Sequence, residues 1–215
     1  MEQHSESLQL KSEIQEKIAK AAFALFCENG IKSVSMDDIA QHLAISKKTI
    51  YKWYSNKDEV VYAAVKGFLN EMGQSSQCFL DNSENAIAQL FNIMQTVRQI
   101  FLSMRPAVFH DLRKYHPNAW KLWQEHKCGF MLEKIKENLR QGIEEGFFRN
   151  DLDIEVVARL RMVMIELPFD PHVFPQHEFN LQQVQQANLE LYMLGIATLK
   201  GHKLINEYKQ IKEEE

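Results

Sequence analysis

Chain breakers are scarce in this sequence. Its 215 residues hold 8 Gly and 5 Pro, and three of those prolines fall inside one stretch, PFDPHVFPQHEF at 168–179. Long runs without glycine or proline sustain helices. Within those runs the apolar residues recur at helical spacing: Ile14, Ile18, Ala21, Ala22, Leu25 and Phe26 make one stripe, and Val60, Val61, Ala64, Val65, Phe68 and Leu69 another. With 45% apolar residues there is enough material for a true core. An all-α fold follows, and a sheet protein is excluded.

Start and stop signals divide the chain. A first helix over 13–28 ends at Asn29-Gly30, the pair a left-handed cap requires. Ser35 with Asp38 three positions on forms a capping pair for a short second helix, and Ser46 caps a third over 47–54 after a tight turn at Ala44-Ile45. Small Ala40 sits where two helices must cross closely, and Ile45 and Ile50 fill the space beneath. Two short helices joined in this way make a helix-turn-helix. Asn56 with Glu59 opens a long fourth helix to about residue 79, and a fifth spans 84–104 until Pro106. Pro117 opens one continuous helix to Glu145, Asp153 caps another over 154–167, and Asn180 caps a last long helix to about Tyr208. The boundary expected between the two parts lies at 56/57. Residues 1–56 are expected to form the helix-turn-helix domain, with an N-terminal extension at 1–12, and 57–215 a larger helical domain.

The charge balance sharpens the function. The net charge is −4, so a nucleic-acid partner must be held by a local cluster rather than by the whole surface. That cluster is ISKKTIYKWYSNK at 45–57. The N-terminal end of a recognition helix enters the major groove, and Lys47, Lys48 and Thr49 occupy that end. Lysines there reach phosphates or guanine acceptors, and a threonine meets base edges. Tyr51, Lys52 and Trp53 continue the same segment, and Lys57 stands at the start of the fourth helix, where free N–H groups attract an anion.

Residues 14–65, containing AAFALFCENGIKSVSM and DDIAQHLAISKKTIYKWYSNKDEVVYAAV, resemble the DNA-binding region of TetR/AcrR-family transcriptional regulators. GIEEGFFRNDLDIEVVARL at 142–160 is similar to that family's approach to its dimerisation helices. The resemblance implies a homodimer on a palindromic double-stranded operator, bound through the region of Lys48, Thr49, Tyr51 and Lys52, with Ser35 or its neighbours and Lys57 gripping phosphates. Ser35, Met36, Ser46, Lys47, Trp53 and Lys57 complete the expected contact set. It also implies repression that a small-molecule effector relieves by entering the second domain. Ala44 departs from the glycine usual among relatives; a left-handed alanine there costs about 1 kcal/mol.

For the larger domain, apolar stripes on the last two long helices mark the expected dimer interface: Val156, Leu160, Val163 and Met164 on one, Leu189, Tyr192, Met193 and Ile196 on the other. Bulky residues on the middle helices, Met94, Phe101, Met104 and Phe109, then Trp120, Trp123, Phe130 and Met131, are the candidate lining for a largely apolar effector.

Another chemistry has a weaker signal. His110-Asp111, with His116 and His126 nearby, is the kind of dyad that a metal-sensing regulator or a helical metal-dependent phosphohydrolase uses, although the upstream candidate His42 lies in the DNA-reading part. No nucleophile elbow, phosphate-binding loop or dinucleotide fingerprint occurs, and neither an enzyme nor a bound cofactor is expected. Cys27, Cys78 and Cys128 are odd in number and far apart, which argues against a disulfide or zinc framework. No apolar run approaches the ~18 residues of a membrane span, and no secretion signal is present, so a cytoplasmic protein is expected.

Overall fold

The computed structural model describes residues 2–175 and 177–210, with the side chains of 2–12, 79–81, 97 and 101–103 left aside. It is helical throughout, with one isolated antiparallel bridge between Phe148 and Ala197 among the described residues. Two compact units are present. The first combines residues 1–72 with 103–125, and the second combines 73–102 with 126–215. Packing therefore divides the chain differently from the sequence boundary at 56/57. No described helix is long and apolar enough to cross a membrane.

The first unit is built on α1 (Glu2–Asn29), whose buried stripe is Ile18, Ala19, Ala22 and Phe26. Gly30 ends it at φ +83°, donating its N–H to the Phe26 carbonyl at 2.8 Å. Helix α2 (Met36–His42) starts at the expected reciprocal cap: the Asp38 N–H donates to Ser35 Oγ at 3.2 Å, and the Ser35 N–H to Asp38 Oδ2 at 2.7 Å. The turn that follows requires a left-handed residue, and Ala44 supplies it at φ 53°. Helix α3 (Lys47–Tyr51) is shorter than the expected 47–54, because Trp53 and Tyr54 both fold back onto the Ile50 carbonyl in a closing turn.

Helix α4 (Lys57–Asn82) follows, with the Glu59 N–H on Asn56 Oδ1 at 3.0 Å. Helices α6 (Ala107–Tyr115) and α7 (Pro117–His126) belong to the first unit up to residue 125.

The second unit holds α5 (Ala86–Ser103), α8 (Leu132–Glu144), α9 (Ile154–Glu166), α10 (Leu181–Ile196) and α11 (Leu199–Lys209). Its core contains Ile87, Leu139, Phe148, Ala158, Leu189, Met193 and Ile205. Two expected long helices are each broken. Residues Lys127–Met131 form a π-helical segment between α7 and α8. The last helix stops at Ile196, where Ala197 turns extended, and restarts from a Thr198 cap. A local pairing drives this second break: the Thr198 N–H donates to the Phe147 carbonyl at 2.9 Å and the Arg149 N–H to the Ile196 carbonyl at 2.9 Å. The carbonyl of Phe147 lies so near Gly201 that a Cβ would come within 2.2 Å of it, and only glycine fits.

Candidate nucleic-acid interface

Helices α2 and α3 are locked together from below. Ile39 and Ile50 are fully enclosed, Ala40 is buried at the crossing, and Tyr54 is buried with its hydroxyl donating to the Gln15 carbonyl of α1 at 3.0 Å. Burial also pushes the Tyr54 phenol up from its ordinary value. With those faces spent, the opposite side of α3 is left for solvent. Lys47, Lys48 and Lys52 are exposed there, Tyr51 is 46% exposed and Thr49 is half-buried.

The N-terminus of α3 is fixed by Ser46, whose Oγ accepts the Thr49 N–H at 3.1 Å and lies 2.8 Å from the Thr49 hydroxyl. This cap holds Thr49 in one orientation. Lys47 Nζ pairs with Asp37 Oδ2 at 2.8 Å, and that hydrogen bond raises its pKa. Both partners are exposed, so the pair is weak and exchangeable for a phosphate. Lys48 and Lys52 have no ion pair among the described residues.

Four expected contacts are placed otherwise. The Met36 side chain is buried, because α2 turns it inward beside Ile39. The Ser35 hydroxyl donates to Asp38 Oδ2 at 2.7 Å, and the Ser35 bonds hold the Asp38 carboxyl below its usual range, so an anion sits where a phosphate was expected. Trp53 is half-buried and lines an open cleft with Tyr62 and Leu122. Lys57 points inward: its Nζ donates to the carbonyls of Ile31 at 2.5 Å and Lys32 at 3.4 Å, and burial pulls its pKa down. It clasps the loop after α1 to the start of α4.

Two supports come from residues far along the chain. Asp111 of α6, buried, accepts the Lys32 N–H at 2.8 Å. His116, also buried, lies 2.7 Å from Asp58 Oδ1 through Nδ1. The sequence carries no local sign of either contact, because the partners are 79 and 58 residues apart. The His110-Asp111 pair is thereby divided: His110 is exposed while Asp111 faces the loop. Among the described residues no three of His, Cys, Asp or Glu converge as a metal site would require.

The expected effector lining does not form one cluster. Met104, Phe109, Trp120 and Trp123 belong to the first unit, with Phe109 edge-on to both indoles at centroid distances of 6.5 and 5.1 Å. Met94 and Met131 pack on the core of the second unit, and the Phe130 ring lies tilted against His126, centroids 5.1 Å apart. The Phe101 side chain lies outside the described residues. A small pocket of about 30 Å³ in the second unit is lined by Met94, Arg98, Leu189 and glutamines of α5 and α10, so of the eight only Met94 touches it.

The expected dimer residues also separate. Val156, Leu160 and Val163 are 52%, 58% and 64% exposed and Met164 is half-buried, whereas Leu189, Tyr192, Met193 and Ile196 are buried in this subunit's own core. The last four therefore lie beneath the surface of the chain. On α10 the outward apolar residue is Leu191, at 67% exposure, one position from the buried Tyr192.

Comparison with known proteins agrees with this geometry. Residues 18–64 match the model for bacterial regulatory proteins of the tetR family. The chain is 25% identical to the HTH-type transcriptional regulator YvaF of Bacillus subtilis, over 84% of this chain and 94% of YvaF. It is 26% identical to the HTH-type transcriptional repressor KstR2 of Mycobacterium tuberculosis, over 66% of this chain and 73% of KstR2. The solved structure of the M. tuberculosis KstR2 superimposes with a TM-score of 0.59 at 23% identity, covering 86% of this chain and 95% of that one. The matched segment contains the whole α2–turn–α3 unit, and the fold beyond it is shared as well. Residues 18–64 thus match the DNA-binding region of tetR-family regulators, and the chain as a whole is similar to TetR-family transcriptional regulators.

Proposed function

We propose that this regulator is a cytoplasmic repressor that binds a palindromic operator as a homodimer and leaves it when a small, largely apolar effector occupies the second unit. The observation that carries the reading is the outward face of α3: Lys48, Tyr51 and Lys52 project from a helix that Ser46, Ile50 and Ala44 hold in one position. Lysines and a tyrosine presented this way fix register on phosphates, and Thr49 at the helix start reads a base edge.

Two readers must sit about 34 Å apart to meet successive half-sites, which calls for a twofold axis. Val156, Leu160 and Val163 recur at helical spacing on the outer side of α9, with Leu167 just past its end, and leave a stripe that a second copy covers. The effector acts by preferring a dimer shape whose readers are wrongly spaced, and it shifts the population by that difference in affinity.

Footprinting of the full-length protein on genomic DNA tests this directly, followed by a salt titration. Lys47, Lys48 and Lys52 from two readers give six phosphate contacts, so log affinity falls with log salt at a slope of roughly −5. A flat response, or a footprint without two-fold symmetry, overturns the assignment.

A further inference from the structure

Arg161 is buried on the inner side of α9, at 6% exposure, and has no carboxylate partner among the described residues. Its contacts are one long hydrogen bond, from Nη1 to Asn188 Oδ1 at 3.4 Å, and the face of the Tyr192 ring, 5.1 Å from Cζ. Asn188 is oriented for this by donating its Nδ2 to the Met164 carbonyl. Tyr192 is 7% exposed, and its hydroxyl is enclosed with no hydrogen-bond partner. Two buried donor groups thus lie side by side with most of their N–H and O–H capacity unused.

The same unit shows what a structural buried cation looks like. Lys136, 7% exposed, is held by Glu133 at 2.9 Å and Glu155 at 2.5 Å. Arg161 lacks any such arrangement. Burial lowers its guanidinium to about 10, which still leaves it charged at neutral pH. An unpaired buried charge is a standing cost to the folded state, offset only when an anion arrives. The surroundings are apolar, with Ala158, Met162, Leu189 and Met193 in the adjoining core. The small pocket of this unit is lined by Gln185 and Leu189, which flank Asn188 on α10, and by a second cation, Arg98.

We propose that the Arg161 guanidinium and the Tyr192 hydroxyl form the anion seat of a ligand site in the second unit, taking the carboxylate of an organic acid with an apolar body. This deepens the effector reading above and rests on the ligand binding in that unit. A bidentate carboxylate on the guanidinium satisfies the fork geometry, and the phenol supplies a third donor.

The test uses the full-length protein, thermal unfolding, and acids paired with their alcohols: hexanoate, decanoate and 4-phenylbutyrate against hexanol, decanol and 4-phenylbutanol. The wild type is expected to be stabilised by at least one acid and not by its alcohol. Arg161→Met is expected to unfold at the same or a higher temperature without ligand, and to bind that acid at least about 10-fold more weakly. Tyr192→Phe, which keeps the ring, is expected to weaken acid binding several-fold without changing alcohol binding.

Equal stabilisation by acid and alcohol, or by none of the acids, overturns the proposal. So does an Arg161→Met protein that melts several degrees lower or sediments as a monomer, since the counter-charge is then a structural one or the partner copy's. Operator release is read separately. Acid that binds through Arg161 while the footprint persists leaves this site standing and removes the release mechanism. Compounds that clear the footprint and bind Arg161→Met as well as wild type do the reverse.

Discussion

Asp111 Oδ2 accepts the Lys32 backbone N–H at 2.8 Å, tying α6 to the loop that precedes the DNA reader. The same loop gives its Ile31 carbonyl to Lys57, and the Asp111 charge favours the ammonium of Lys57. Replacing Asp111 by Ala strips the Lys32 N–H of its acceptor and removes that charge. A loss of about 1–3 kcal/mol is expected in urea unfolding. Asp111→Asn keeps an acceptor oxygen and should lose less.

Lys57 and Lys48 are both cations beside the reader, and salt dependence separates their roles. Lys48→Ala is expected to weaken operator binding and flatten the salt slope by roughly 2 per dimer. Lys57→Met should leave the slope unchanged and lower the denaturation midpoint, because its ammonium is spent on two carbonyls. A flattened slope for Lys57→Met would return it to the phosphate-binding set.

At Ala44 the backbone sits at φ 53°, where a Cβ is strained. Ala44→Gly is expected to stabilise the protein by about 0.5–1 kcal/mol in the same unfolding assay. A destabilised variant would mean that the turn gains more from the stiffness of alanine than it loses to strain.

Leu160 and Leu189 are both apolar residues of the second unit, one 58% exposed and the other 1%. Leu160→Glu is expected to yield a folded monomer with nearly wild-type far-UV circular dichroism, measured with sedimentation. Leu189→Ala opens a core cavity and should cost about 2–5 kcal/mol without altering the dimer directly.

The His126 imidazole is half-buried against Phe130, its Nε2 has no partner, and burial holds its pKa below the ordinary 6.5. The unfolded chain therefore takes up this proton first as pH falls. The stability that neutral His126 contributes is complete above about pH 6.5 and is lost as the pH falls through the folded value. His126→Phe, which keeps an aromatic ring, should melt with a shallower decline between pH 7.5 and 5 than the wild type. Identical pH profiles would remove this role.

Local chemistry made most of the fold readable. Ser35, Ser46, Asp153 and Asn180 each cap the helix their position in the sequence indicates, because a cap is decided within four residues. The turn at Ala44-Ile45 was legible for the same reason, while its left-handed residue was indicated by the glycine usual among relatives. The break after Ile196 was hidden because Phe147, about fifty residues earlier, imposes it through Thr198. Periodicity found the apolar stripe on α10 but could not say which side meets a partner, so Tyr192 and Met193 turned out to be core and Leu191 surface. Nothing local to Lys57 announces that two carbonyls of a preceding loop will capture its ammonium.

Residues 103–125 belong to the same compact unit as the DNA reader, although α5 intervenes in the chain. During synthesis the reader therefore cannot finish its own packing when residue 72 leaves the ribosome. Its Lys32 amide waits for Asp111, and Asp58 for His116, while a segment destined for the other unit emerges in between. A half-made chain thus lacks both contacts until residues 111 and 116 have been translated.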